Sequence, residues 1–171
     1  MDIRVAIVIV VLVLAMTFMV WLYFRDAEKK RVHEYREKAL AEILPNRLQA
    51  YERMSLYISR IDPEEMALRE QSSAATAKDL YIAMMNSIRQ EFEHNNAMQI
   101  YISTASWKLI LKAKEEVSKT LKDTLKTLNP NATPIELAAE FIEAARNTCK
   151  FYVDRAQEGL RKDLSGHLFN E

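Results

Sequence analysis

Glycine is almost missing from this sequence, with two residues in 171, Gly159 and Gly166, and proline is scarce at four. Tight hairpin turns draw on glycine and asparagine for their unusual backbone angles. A sheet-rich fold with many turns is therefore excluded, and long helices joined by short connections are expected. The same scarcity excludes phosphate-binding loops of the Walker or dinucleotide type, which need glycines at fixed offsets. Cysteine occurs once, as Cys149, so no intrachain disulfide can form. Neither sign of charge is in excess, with 24 Lys and Arg against 24 Asp and Glu. A neutral chain offers no general attraction to nucleic-acid phosphates, and nucleic acid is not expected as a partner. Histidine numbers three, scattered along the chain, and no serine sits in a G-x-S-x-G setting. A nucleophilic triad therefore has no sequence support.

What the chain has in quantity is Ala, Leu, Glu, Lys, Arg and Met, the residues that lose least on entering a helix. Val5 to Phe24 is an apolar run with Thr17 as its one polar member. At about 1.5 Å rise per residue it measures roughly 30 Å, the hydrocarbon thickness of a bilayer, and predicts a single transmembrane helix. Trp21, Tyr23 and Arg25 stand at its C-terminal end, where amphipathic side chains favour the headgroup region. Only Arg4 precedes the run, whereas Arg25, Lys29, Lys30 and Arg31 follow it. That asymmetry predicts an inner-membrane, single-pass protein with its N-terminus outside and its C-terminal domain cytoplasmic, the lipid bilayer being one partner.

The charged stretch from Asp26 to Leu44 alternates signs and reads as a solvated helical stalk. Its apolar residues are sparse until Leu40, Ile43 and Leu44, and Pro45 is expected to break it. Beyond it, Leu48, Tyr51, Met54, Tyr57, Ile58 and Ile61 recur at helical spacing. Asp62-Pro63-Glu64-Glu65 is a helix start, with a capping acid, proline at the first position and acids in the first turn. Thr76 and Asp79 open the next helix, which His94-Asn95-Asn96 can interrupt. Met98 to Ile102 alternates and suggests a short extended stretch. Ser103 or Thr104 caps a long helix bearing Trp107, Ile110, Val117, Leu121 and Leu125. Thr133-Pro134-Ile135-Glu136 starts a last long helix running through Cys149 to Leu160, with Gly166 beyond its end. The expected organisation is all-α: a tail over 1–4, a transmembrane helix over 5–24, a charged juxtamembrane helix over 25–44, an irregular helical bundle over 45–165 and a tail over 166–171.

Three groups of residues could carry function. Glu91 and His94 form E-x-x-H, which places both on one helix face as a di-iron carboxylate bundle would require. A second such motif is missing, since Lys30 precedes His33 and Leu164 precedes His167 at that spacing. The pair is thus a weak metal candidate, a helix-end histidine is the plainer reading, and no metal or cofactor is expected. Arg47, Glu52, Arg53, Arg60 and Arg69 could form ion pairs between helices, although a solvated face is commoner. Tyr51, Arg53, Met54 and Tyr57 combine the side-chain types enriched at interface centres and are candidates for a self- or partner-interface. Cys149 lies on the apolar stripe and reads as core.

The blocks Leu44-Pro45-Asn46-Arg47-Leu48-Gln49-Ala50-Tyr51-Glu52-Arg53, Ile61-Asp62-Pro63, Ile88-Arg89-Gln90-Glu91-Phe92-Glu93-His94-Asn95 and Gln99-Ile100-Tyr101-Ile102-Ser103, with Trp107 and Ala113-Lys114-Glu115-Glu116, form a recognisable pattern. Over roughly Leu44–Leu137 the chain resembles a family of small uncharacterised Bacteroidota proteins. The resemblance implies an N-terminal hydrophobic segment and a helical C-terminal region; it brings no activity and no catalytic residue. The resulting expectation is a non-enzymatic, membrane-anchored interaction protein, an adaptor or accessory subunit. A metal-binding or redox enzyme using Glu91 and His94, and a stator-like stalk subunit, are the alternatives.

Overall fold

The computed structural model describes residues 3–169; the side chains of 3, 5, 6, 8, 10, 26, 27, 29, 30, 32–37, 39, 40 and 167–169 lie outside that description. All regular structure within it is helical. Helix α1 spans Ile3–Arg60, α2 Pro63–Glu70, α3 Ala77–Asn95, α4 Thr104–Thr127, α5 Pro134–Asn147 and α6 Lys150–Phe169. Short 3-10 turns follow α2 at Gln71–Ser73 and α3 at Asn96–Tyr101. The chain divides into two compact units, Met1–Pro45 and Asn46–Glu171.

In the first unit the expectation of a membrane span is corrected. Among the described residues no helix is long and apolar enough to cross a membrane. The transmembrane helix over 5–24, the single-pass inner-membrane placement with the N-terminus outside, and the membrane-interface role of Trp21, Tyr23 and Arg25 fall with it. Trp21 and Tyr23 are exposed, and the Arg25 guanidinium lies 5.2 Å from the centre of the Trp21 ring. Lys29, Lys30, Glu34, Arg36, Glu37 and Leu40 of the expected stalk lie outside the described side chains. Pro45 does not end the helix but sits inside α1. Its ring removes one donor, which leaves the neighbouring turns to carry the helix, and the division between the units falls at this residue.

The second unit is a helical bundle, and its helix starts follow from local chemistry. Asp62 accepts from the Glu64 amide ahead of Pro63. Thr76 with Asp79, and Thr133 with Glu136, form reciprocal capping boxes at the starts of α3 and α5. Ser103 accepts from the Ser106 amide at the start of α4. Helix α4 packs against α3, α5 and α6, and α5 also packs against α2 and α3. Between them lie Met54, Tyr57, Ile58, Met66, Leu80, Met84, Ile110, Val117, Leu121, Leu137 and Phe141, all almost wholly buried. Each such large side chain contributes about 1.5–3 kcal/mol. Gly159 allows the close approach of α4 to α6. A Cβ there would lie 2.6 Å from a Leu109 methyl, and Ser106 donates to the Gly159 carbonyl at 3.2 Å.

Three sequence expectations differ here. Residues 96–101 form 3-10 turn rather than an extended stretch. The last helix is two, α5 and α6, broken at Thr148, whose backbone sits at φ −129°, ψ −80°. Its hydroxyl donates to the Ala144 carbonyl and pairs with the Thr120 hydroxyl at 3.0 Å, which holds the corner. Gly166 lies within α6 rather than past its end, since that helix runs to Phe169.

Candidate functional site

Residues 46–60 of α1 face two depressions, one toward α3 and one toward α6. Toward α3, α1 supplies Arg53, Leu56, Tyr57 and Arg60, and α3 supplies Glu91, His94 and Asn95, around a cleft of about 160 Å³. Offsets of three, four and seven on α1, and of three and four on α3, place each set on one helix face. The Arg60 guanidinium pairs with the Glu91 carboxylate. One carbonyl near each helix end is engaged, Arg69 donating to that of Arg60 at 3.1 Å and the Asn95 side chain to that of Glu91 at 2.8 Å. Arg53 has no ion pair among the described residues. Tyr57 is fully buried, and its hydroxyl has no hydrogen-bond partner. Burial first, and then the Glu91 charge, raise the Tyr57 pKa well above the usual phenol value. Behind it Tyr57, Phe92 and Trp107 form a row with ring centres 5.8 and 5.7 Å apart, and the Lys114 ammonium stands 3.7 Å over Phe92.

Toward α6 the two walls share one pattern. Leu48, Tyr51, Glu52 and Ser55 face Gln157, Leu160, Arg161 and Leu164 across a groove of about 320 Å³. Each set follows the spacing of three, four and seven that forms a straight ridge. The floor is tied by Tyr51 donating to Asp163 at 2.9 Å and by Gln157 donating to Ser55 at 2.5 Å. Leu48 is 40% exposed at the mouth, and the Gln157 side-chain oxygen is buried without a partner.

The structure thus brings together two groups that the sequence kept apart: Arg53 and Tyr57 line the same cleft as Glu91 and His94. It does not make the four interface candidates one surface. Tyr51, Met54 and Tyr57 are buried among this chain's own helices, because the apolar stripe that carries them is the core face of α1. Arg53 alone stays partly exposed. As for a metal, the Glu91 carboxylate is occupied by Arg60, and zinc or iron would need further ligands. Among the described residues no three of His, Cys, Asp and Glu come together to supply them. Cys149 is wholly buried, and burial raises its thiol pKa. A nucleophilic role needs the opposite environment. Sequence reasoning missed Leu48, Gln157, Leu160, Arg161 and Leu164 as one groove. Only the ridge spacing of α1 and of α6 pointed to it.

The chain belongs to a family of unknown function, DUF7935, whose model matches residues 1–167. No curated protein and no solved structure matches it.

Proposed function

We propose that this protein is a non-enzymatic interaction module, an adaptor or accessory subunit, and that its groove between α1 and α6 receives a helix from another protein chain. The observation that carries this reading is the pair of parallel ridges. Leu48 on one wall and Leu164 on the other stay partly exposed above the buried Tyr51 and Leu160, and leave a shallow groove with an apolar rim between two helices. Helices recognise one another by setting the ridge of one into such a groove. Glu52 and Arg161 line it as well, so a partner helix with an apolar stripe and flanking charges of both signs fits. We further infer that relatives of this chain include the small Bacteroidota proteins that its sequence blocks resemble.

Chemical crosslinking of intact cells, followed by mass spectrometry, tests the reading. Wild-type protein is expected to join a partner of fixed size through residues beside the groove. Leu48→Glu and Leu164→Glu are expected to abolish that product while circular dichroism retains the helical spectrum. Products that survive both changes would place the interface elsewhere.

A further inference from the structure

Two hydrogen bonds across the floor of the α1–α6 groove fix how its walls run. Tyr51 meets Asp163 and Ser55 meets Gln157, so α6 descends as α1 ascends. In that antiparallel register Glu52 stands level with Arg161, and Leu48 with Leu164. An acid thus faces a guanidinium across the groove, and a leucine faces a leucine. Glu52 and Arg161 are both exposed, and neither has an ion pair among the described residues. Leu48 and Leu164 stay partly exposed at the rim. A two-fold axis laid along the groove would keep every residue at its level and carry each wall onto the opposite one. In a symmetric dimer residue i of one copy meets j of the other, and j meets i. Such an axis therefore sets Glu52 against Arg161 twice and Leu48 against Leu164 twice. A foreign helix would have to bring matching charges of its own. A second copy also brings the right shape: Leu48, Tyr51, Glu52 and Ser55 form a ridge at spacings of three, four and seven, which seats between two helices.

We propose that the helix received by this groove is the 46–60 stretch of α1 from a second copy of the chain, in a two-fold dimer held by paired Glu52–Arg161 contacts. This dimer rests on the groove being a docking surface, as proposed above, and adds which chain fills it. α1 of each copy lies antiparallel against α6 of the other. The leucines supply apolar contact, and the opposite charges fix the register and disfavour a shifted one.

Sedimentation velocity of the purified full chain over roughly 1–100 μM tests the dimer, with Glu52→Arg, Arg161→Glu and the double exchange as variants. Wild-type protein is expected to pass from monomer to dimer in this range. Either single reversal sets like charges together at both contacts and should weaken the dimer about tenfold or more. The double exchange restores both pairs and should recover most of that loss. A monomer at every concentration, association unchanged by the single reversals, or a double exchange no tighter than the singles would overturn the dimer. Circular dichroism accompanies each variant, and rising salt gives a readout that needs none: exposed ion pairs are screened, so the wild-type dimer should weaken. Association that salt leaves unchanged or tightens would be apolar contact of another kind and would overturn it too. The crosslinking in cells separates the two readings. A purified monomer whose crosslink to a different protein is lost in Leu48→Glu rejects the second copy and keeps the groove. A crosslink insensitive to Leu48→Glu rejects both.

Discussion

Tyr51 and Asp163, 112 positions apart in the chain, meet through a 2.9 Å hydrogen bond in which the phenol donates to the carboxylate. The same carboxylate receives the Ser103 amide at 3.2 Å, at the residue that caps α4. One acidic side chain on α6 thereby fixes the register of α1 and the start of α4. Burial works to raise the Asp163 pKa, but the hydrogen bonds from Ser103 and Tyr51 outweigh it and hold it below the usual carboxylate range.

Acid should therefore loosen this corner. A carboxyl with a lowered folded pKa contributes stability that is complete above its unfolded value, about 3.9, and is lost as pH falls through the folded value. Asp163→Asn is expected to cost about 1–3 kcal/mol at neutral pH. It should also flatten the loss of stability below about pH 4, measured by urea unfolding across a pH series. Tyr51 carries the opposite sign. Burial and then Asp163 push its pKa up to about 12, so its contribution persists through neutral pH and fades as pH rises from about 10 toward 12.

Asp62 serves two elements at once. One oxygen accepts the Glu64 amide that starts α2, and the other accepts the Lys150 ammonium at 2.8 Å at the start of α6. Asp62→Ala removes both and is expected to cost about 1–2 kcal/mol, as the loss of an N-cap does. Lys150→Met leaves the cap and removes the ion pairs of a 44% exposed lysine with Asp62 and Asp154, and should cost less than about 1 kcal/mol. Thermal unfolding of the two variants gives the order.

Tyr57→Phe should leave the protein as stable as wild type or raise its unfolding free energy by about 1 kcal/mol, because the deleted hydroxyl is buried without a partner. Tyr51→Phe deletes a hydroxyl with a partner and should do the reverse, by about 1 kcal/mol. Urea unfolding of both variants tests the contrast.

Cys149 is expected to be inert to thiol reagents in the folded state. It is fully buried and burial raises its pKa, so little thiolate is present and no reagent reaches it. Reaction with a disulfide reagent should proceed only at the rate of unfolding, and rapid modification of the native protein would show that the α5–α6 corner opens.

The helix starts of the bundle were readable because their signals are local. Asp62 before Pro63, Thr76 with Asp79, and Thr133 with Glu136 need no knowledge of the rest of the fold. The corner at Thr148 was not readable. The apolar spacing of Ala145, Cys149, Tyr152 and Ala156 runs across it unbroken, and the turn is fixed by Thr120, which arrives from α4. Glu91 and His94 stood out as a pair by spacing, yet their neighbours Arg53 and Arg60 come from another helix, 31 positions away in the case of Arg60 and Glu91. Tyr51, Met54 and Tyr57 were of the right type for an interface and equally right for a core; burial decided for the core. The apolar run at 5–24 suggested a span by its length and apolarity, whereas no helix among the described residues is both long and apolar enough to cross a membrane.

The most direct test of the groove as a docking surface is site-specific photocrosslinking in living cells. A photoreactive side chain placed at Leu48, at the mouth of the groove, is compared with one at Ile135, an exposed residue on α5. The account predicts one discrete crosslinked product from position 48, none of that size from position 135, and loss of the product when Leu164→Glu is added. A product of the same size from both positions, no product from position 48, or one that survives Leu164→Glu would contradict it.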